Sequence, residues 1–303
     1  MRQNTIMLFL ALLLSLVIAR DTLGESAAIV NIRDEFTTTD SGIRIHYLET
    51  GSGTSVPTLI LIPGWRLPAF LWNEQLQNFS KIARVIALDP RSQGESSKTL
   101  DGNTPESRAR DLHDVLGNLH VSRCVLVGWS QGAQDVAAYL QQFGTDSIDG
   151  VVFVDSPVSF GPAEIDSHKE LARMILSGIS VYVNHPAEYS DGMVKSLFKK
   201  PHPDLDIGRV VKSTLQTPTD TGVAMLVTDI FGADRRPSLA KLNKPALVIA
   251  SSVSPSLDVQ REMAAAIRSS KLVIVEGTGH AVFVDDPGKF DQALGTFLQS
   301  LSP

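Results

Sequence analysis

The sequence predicts an α/β fold in which helices cover both faces of a mostly parallel sheet. Short, almost wholly apolar segments rich in Val, Ile and Leu lie at Thr58–Ile62, Ala83–Leu88, Cys124–Val127, Gly150–Val154, Ala246–Ala250 and Lys271–Val275. Continuous rather than alternating apolarity is typical of strands buried on both faces. Helical patterns lie between them at Thr104–Leu119, Gln131–Gln142, Val259–Ile267 and Pro287–Leu301. Strands that alternate with helices predict a parallel sheet with right-handed crossovers.

A hairpin is predicted ahead of the parallel strands. Phe36–Thr39 and Ile43–Glu49 lie on either side of Asp40-Ser41-Gly42, and both alternate apolar with polar residues. Asp-Ser-Gly supplies turn chemistry between such segments. We therefore expect an antiparallel pair of strands to open the domain.

Composition excludes several classes of protein. Hydrophobic residues make up 43% and charged residues 20% of the 303 residues, which is too apolar for a disordered chain. The formal net charge of −6 offers no basic surface, so we expect no nucleic-acid partner. Cys124 is the only cysteine and excludes both an internal disulfide and a cysteine-based zinc site. The composition does not specify an oligomeric state.

The pattern of residues 1–24 predicts a signal peptide. Arg2 gives the start a positive charge, and the uncharged, almost wholly apolar run Ile6–Ala19 follows. Small-residue cleavage patterns end at Ala19 and at Gly24. The run is shorter than the roughly 20 apolar residues that a spanning helix needs. We expect an exported protein, secreted or periplasmic, with no stable membrane span once processed.

Residues 157–243 interrupt the alternation of strands and helices. This segment is more polar and mostly helical in pattern, and prolines punctuate it at Pro186, Pro201, Pro203 and Pro218. We predict a helical cap over the carboxyl ends of the strands, where open α/β sheets bind ligands. The core is then residues 25–156 and 244–303. The alternative is a helical excursion that only completes the core.

A G-x-S-x-G pattern at Gly128–Gly132 lies between a predicted strand and a predicted helix. A sharp strand-to-helix turn requires small residues at both glycine positions and holds the serine in a strained conformation at the edge of the sheet. Ser130 is therefore the candidate nucleophile. The alternative is that Ser130 only caps the helix.

Together with three further motifs, this pattern resembles the α/β-hydrolase superfamily, and more closely its small-cap esterases and its perhydrolase or haloperoxidase-like members. The four motifs are Pro63-Gly64-Trp65, Asp89–Ser96, Gly128–Gly132 and Gly277–His280. The resemblance covers Phe36–Leu301. It implies an α/β-hydrolase fold with no cofactor and no metal, and it is much less specific for substrate.

The resemblance also implies a base and an oxyanion hole. A serine hydroxyl is a weak nucleophile without an adjacent base, and His280 follows the last predicted strand, where the family carries that base. The backbone N–H groups of Trp65 and Gln131 are expected to bind the oxyanion. The chain has Pro63 where the family usually has His-Gly, but Gly64 still permits the turn. Arg66 is expected to be solvated or ion-paired.

The acid of the catalytic triad has two candidates. Family members usually carry an Asp after the penultimate strand, but Ser251–Ser256 contains no carboxylate. Asp258 lies nearby, directly before a predicted helix, where Asp is a natural cap. Asp155 follows Gly150–Val154, a strand end at which some relatives place the acid. We predict Asp155 as the acid, with Asp258 as the alternative.

These residues predict an exported serine hydrolase that cleaves small or medium carboxylic esters through Ser130, Asp155 and His280 and an acyl-enzyme intermediate. Two alternatives stay open. The same triad would also serve cofactor-free perhydrolysis, haloperoxidase-like or oxygenase chemistry. The missing acid at its usual place also fits a catalytically silent binding protein of the same fold.

Overall fold

The computed structural model describes residues 30–54, 56–159 and 169–301. From Ile32 onward the chain forms one compact unit. The other unit, residues 1–31, lies almost wholly outside the described residues, and so does the signal peptide predicted at residues 1–24. Among the described helices, none has the length and apolarity to cross a membrane.

Strands and helices alternate along the chain. The strands are β1 (Arg33–Thr38), β2 (Arg44–Thr54), β3 (Thr58–Ile62), β4 (Ala83–Asp89), β5 (Cys124–Trp129), β6 (Ile148–Val154), β7 (Ala246–Ser251) and β8 (Ser270–Val275). The helices are α1 (Asn73–Phe79), α2 (Pro105–Asn118), α3 (Gln131–Phe143), α4 (Lys169–Asn184), α5 (Pro186–Ser196), α6 (Ile207–Thr214), α7 (Thr219–Phe231), α8 (Arg236–Lys241), α9 (Leu257–Ala266), α10 (Val282–Asp285) and α11 (Pro287–Ser300). A 3₁₀ turn, Ala69–Trp72, precedes α1.

The strands form one eight-stranded sheet in the order β1-β2-β4-β3-β5-β6-β7-β8. β2 pairs antiparallel with both β1 and β4, and all the other pairs are parallel. The predicted mostly parallel α/β fold with an opening hairpin is confirmed. The chain leaves β3 toward β4 on one side and later returns as β5 on the other, so β3 and β5 flank the switch point at which such sheets bind ligands.

Both faces of the sheet are buried, which explains the continuous apolar runs. Successive residues of a strand point to opposite faces. Leu126 and Val248 pack in the layer that contains α2, α3 and α9. Their neighbours Val127 and Ile249 pack in the layer that contains α1 and α11. All four side chains are fully buried.

The register of the parallel strands brings four strand ends together. Ile62 of β3 lies opposite Gly128 of β5. Trp129 of β5 lies opposite Val154 of β6, which lies opposite Ile249 of β7. The loops that follow β3, β5, β6 and β7 therefore emerge side by side at the carboxyl edge of the sheet.

The predicted start of α9 at Val259 is wrong. The helix begins two residues earlier, at Leu257, with Ser256 in the N-cap position, so Asp258 lies inside the first turn and is not the cap. The reason is that Gln260 N–H donates to Ser256 C=O at 3.0 Å, so the first helical turn runs from Ser256 to Gln260 and contains Asp258. The side chain of Asp258 is exposed.

The segment between β6 and β7 contains helices α4 to α8 and connects to the core through Trp65. Trp65 forms a small apolar cluster with Tyr182 of α4 and Met225 of α7. Its indole N–H donates to the carbonyl of Gly222 at 3.0 Å. Residues 160–168 of the segment lie outside the described residues, and its assignment as a cap stays a prediction.

Candidate active site

Ser130 lies in a strained turn between β5 and α3. Its backbone has φ 56° and ψ −120°, a conformation that non-glycine residues adopt only when the surrounding structure enforces it. A Cβ on Gly132 would lie 2.5 Å from the carbonyl oxygen of Ile62, and one on Gly128 would lie 2.3 Å from the carbonyl oxygen of Gly132. Ser130 occupies the N-cap position of α3, yet its hydroxyl makes no capping hydrogen bond. The turn thus fixes the backbone of Ser130 and leaves its hydroxyl without a capping hydrogen bond.

His280 and Asp155 are in direct contact. Nδ1 of His280 lies 2.7 Å from Oδ2 of Asp155, whose side chain is almost fully buried. A carboxylate only accepts hydrogen bonds, so Nδ1 carries the proton and Nε2 is left as the basic nitrogen. Asp258, the alternative acid, is exposed and makes no contact with His280 among the described hydrogen bonds.

Asp155 is held from the neighbouring strand. Its own backbone has φ 45°, in the left-handed region. Oδ1 accepts the backbone N–H of Ser251 at 2.9 Å and the amide of Gln260 at 3.3 Å. The last residue of β7 and the first turn of α9, on either side of the loop that lacks the usual acid, thus supply donors to the acid that follows β6. Sequence reasoning missed Gln260, because a glutamine in the first turn of α9 has no local feature that marks a role.

The His280 loop is fixed on three sides. The indole N–H of Trp129 donates to the carbonyl of His280 at 2.9 Å. The carboxylate of Asp285 accepts the N–H of Gly279 at 2.5 Å and the N–H of Lys199 at 2.8 Å. Burial alone would raise the pKa of Asp285, but these backbone hydrogen bonds lower the pKa below its usual value. A Cβ on Gly279 would lie 2.6 Å from the carbonyl oxygen of Leu197, so only glycine fits this approach.

Trp65 and Gln131 present free backbone donors beside Ser130. A Cβ on Gly64 would lie 2.9 Å from Cβ of Ser130, so the loop after β3 passes directly against the serine. Among the described residues, neither the backbone N–H of Trp65 nor that of Gln131 donates to another protein group. Two unengaged N–H groups next to a serine are the requirement for an oxyanion hole.

One cavity of about 900 Å³ brings all five predicted site residues together. Trp65, Ser130, Gln131, Asp155 and His280 all line it. Apolar residues of the segment between β6 and β7 also line it: Met174, Tyr189, Met193, Leu197, Phe198, Leu226 and Ile230. In the described part of the chain, no group of three or more His, Cys, Asp or Glu side chains is placed to hold a metal ion.

Arg66 is neither solvated nor ion-paired, so that expectation is wrong. Its side chain is fully buried and has no carboxylate partner among the described residues. The guanidinium lies 4.1 Å from the ring centroid of Trp65 and 4.2 Å from that of Tyr182, and it donates to the hydroxyl of Ser190 at 3.1 Å. Burial lowers the pKa of Arg66. The aromatic rings replace the expected anion as partners of the cation.

A buried ion cluster contacts the side chain of Gln131, and no sequence pattern predicted it. Arg108 of α2 donates from Nε to both oxygens of Asp135, at 2.8 and 3.0 Å, and from Nη2 to Oδ1 of Asp229 at 3.1 Å. Burial raises the pKa of Asp135 to about 7 and also raises the pKa of Asp229, against the lowering effect of Arg108. Asp229 also lines the cavity.

Comparison with known proteins identifies the family. The model of the alpha/beta hydrolase family matches residues 59–293. The chain belongs to the α/β-hydrolase family. This α/β hydrolase is 27% identical over 279 residues to a non-heme chloroperoxidase from Kitasatospora aureofaciens, covering 86% of this chain and 98% of the relative.

Solved structures show the same fold for this α/β hydrolase. An esterase from Exiguobacterium antarcticum has a TM-score of 0.78 at 19% identity, covering 88% of this chain and 100% of that one. A bromoperoxidase from Bacillus anthracis has a TM-score of 0.75 at 24% identity, with coverage of 88% and 100%. The family predicted from the four motifs is therefore confirmed.

Proposed function

We propose that this α/β hydrolase is a serine esterase that cleaves small or medium carboxylic esters through Ser130, His280 and Asp155. The observation that carries the proposal is the 2.7 Å contact between Asp155 and His280, on the same cavity as Ser130. A buried carboxylate on Nδ1 leaves Nε2 as a base, which a serine nucleophile requires. The strained backbone of Ser130 and the two free N–H groups beside it support the same chemistry.

In the proposed acylation step, Oγ of Ser130 attacks the carbonyl carbon of the ester while Nε2 of His280 takes the hydroxyl proton. The carbonyl electron pair moves to the oxygen, and the N–H groups of Trp65 and Gln131 stabilise the oxyanion. Asp155 stabilises the imidazolium that has formed. The oxyanion collapses, the bond to the alkoxy group breaks, and His280 gives its proton to the departing alcohol.

In the proposed deacylation step, water attacks the acyl-enzyme. Nε2 of His280 takes a proton from the water as its oxygen bonds to the acyl carbon. A second oxyanion forms in the same hole and collapses, and His280 returns the proton to Oγ of Ser130. The products are a carboxylic acid and a free enzyme.

The cavity supports esters with apolar groups as substrates. Its volume of about 900 Å³ is within the range of pockets that bury a small or medium organic molecule. The wall of the cavity carries thioether, aliphatic and aromatic side chains, including Met174, Met193 and Leu226. Apolar acyl or alcohol groups gain free energy on transfer from water to such a wall.

Perhydrolysis is the second candidate. Perhydrolysis is favoured by the similarity of this chain to a protein named a non-heme chloroperoxidase, a similarity that covers 86% of this chain and 98% of that protein. In this reaction hydrogen peroxide replaces water as the attacking nucleophile on the acyl-enzyme, and the product is a peracid instead of a carboxylic acid. The steps up to the acyl-enzyme are the same, so Ser130, His280 and Asp155 keep their functions.

We further propose that the protein is exported, as the apolar run Ile6–Ala19 predicts. Amino-terminal sequencing of protein from a secretion-competent host should find a mature chain that begins between residues 20 and 25. An intact Met1 on protein recovered from the cytosol would contradict export.

The serine nucleophile is tested by covalent labelling. A fluorophosphonate probe should label Ser130 stoichiometrically, and Ser130→Ala should abolish both labelling and turnover of p-nitrophenyl acetate, because Ser130 is the proposed site of the acyl group. A folded wild-type protein without turnover would favour a binding protein, and turnover that survives in Ser130→Ala would exclude the serine mechanism. Peracid formation on addition of hydrogen peroxide would favour the second candidate.

The acid is tested by a matched pair of variants. Asp155→Asn should lower kcat at least about a hundredfold, since loss of the triad carboxylate commonly costs on the order of 10⁴. Asp258→Asn should lower kcat less than about tenfold, because this exposed residue does not contact His280. Thermal melts of both variants separate a catalytic defect from a folding defect. An inactive, folded Asp258→Asn beside an active Asp155→Asn would overturn the assignment.

A further inference from the structure

The side chain of Gln131 is held at both ends. Its Nε2 donates to Oδ2 of Asp229, and its Oε1 accepts the amide of Gln93 at 3.2 Å. Gln131 is the first residue of α3 and directly follows Ser130. The side chain is almost fully buried. The residue that offers the N–H of the proposed oxyanion hole is therefore fixed through its side chain as well as through the helix.

Asp229 reaches this position from a distant part of the chain. It lies on α7, 98 residues from Gln131. Its other oxygen, Oδ1, accepts a hydrogen bond from Nη2 of Arg108 at 3.1 Å. Arg108 is also paired with Asp135 on α3. One carboxylate thus bridges α7 to α3 twice, once directly through Gln131 and once through Arg108.

A bridge to Gln131 can affect the position of its backbone N–H, which is the proposed oxyanion donor. Ser130 has a strained backbone, and its carbonyl accepts the N–H of Ala133 at 3.0 Å, so the helix holds the carbonyl side of the peptide that joins Ser130 to Gln131. The N–H of Gln131, on the other side of that peptide, donates to no protein group among the described residues. An oxyanion donor loses much of its effect when it is displaced by a fraction of an ångström. A charged acceptor on the Gln131 amide forms a stronger hydrogen bond than a neutral one.

We propose that Asp229 is a positioning residue for the oxyanion hole: its carboxylate fixes the side chain of Gln131 and so aims the backbone N–H of that residue. The proposal rests on the serine esterase mechanism, in which that N–H stabilises the oxyanion. It gives α7 a part in the chemistry in addition to its part in the cavity wall.

The ion cluster offers a matched control. Asp229 and Asp135 are both buried, and both pair with Arg108, so replacing either one leaves Arg108 with one carboxylate. Of these two carboxylates, only that of Asp229 accepts a hydrogen bond from the Gln131 side chain among the described residues. A loss that comes from disturbing the cluster should appear in both variants, whereas a loss that comes from Gln131 should appear only when Asp229 is changed.

Steady-state kinetics on a p-nitrophenyl ester, with an arylboronic acid as an analogue of the tetrahedral intermediate, test the proposal. Asp229→Leu should lower kcat and weaken boronate binding at least about tenfold, with KM changed less than about threefold. Asp135→Leu should keep kcat within about threefold of the wild type.

Gln131→Leu keeps the test decisive if Asp229→Leu is unstable, because it breaks the same contact while leaving all three ionic residues in place. It should lower kcat about as much as Asp229→Leu, and the double variant should lose no more than either single one. Equal losses in Asp229→Leu and Asp135→Leu, or normal kcat in a folded Asp229→Leu or Gln131→Leu, would overturn the proposal. Failure of the probe to label wild-type Ser130 would instead overturn the esterase mechanism.

Discussion

The proposed chemistry depends on the contact between the carboxylate of Asp155 and Nδ1 of His280. It joins the end of β6 to the loop after β8, across the end of β7 that lies between them. β7 carries no acid at this point and instead donates the N–H of Ser251 to the carboxylate, while Gln260 of α9 donates its amide. β7 and α9 support the acid without supplying it. A buried carboxylate needs such donors, because a buried oxygen left without a hydrogen-bond partner costs free energy.

The helical segment between β6 and β7 contacts the loop of Trp65, the loop of His280 and the side chain of Gln131. The carbonyl of Gly222 accepts the indole N–H of Trp65, next to the loop that runs against Ser130. The carbonyl of Leu197 accepts the N–H of Ala281, the residue after His280. Asp229 accepts the side chain of Gln131. A change in this segment is therefore transmitted to the geometry of the site as well as to the shape of the cavity.

The sequence predicted what short-range patterns encode. Apolar runs specified the buried strands, and the G-x-S-x-G turn and the glycines before His280 marked residues at strand ends. Asp155 was accessible to the same reasoning, because a carboxylate directly after a buried strand must lie at the sheet edge. Gln260 and Asp229 were not, since they contact residues that lie 105 and 98 positions away along the chain and have no local signal. Arg66 and Asp258 were misjudged, the first because aromatic partners replaced an anion and the second because α9 begins earlier than its apolar pattern.

The contact between Asp155 and His280 can be observed directly by proton NMR of protein with nitrogen-15-labelled histidine. A hydrogen bond from Nδ1–H to a buried carboxylate shifts the proton far downfield of the backbone amides, and the signal is assigned by its loss in His280→Gln. We expect this resonance in the wild type and in Asp258→Asn, and we expect it to disappear or to move strongly upfield in folded Asp155→Asn. A resonance that persists unchanged in Asp155→Asn but is lost in Asp258→Asn would contradict the assignment of Asp155 as the partner of His280.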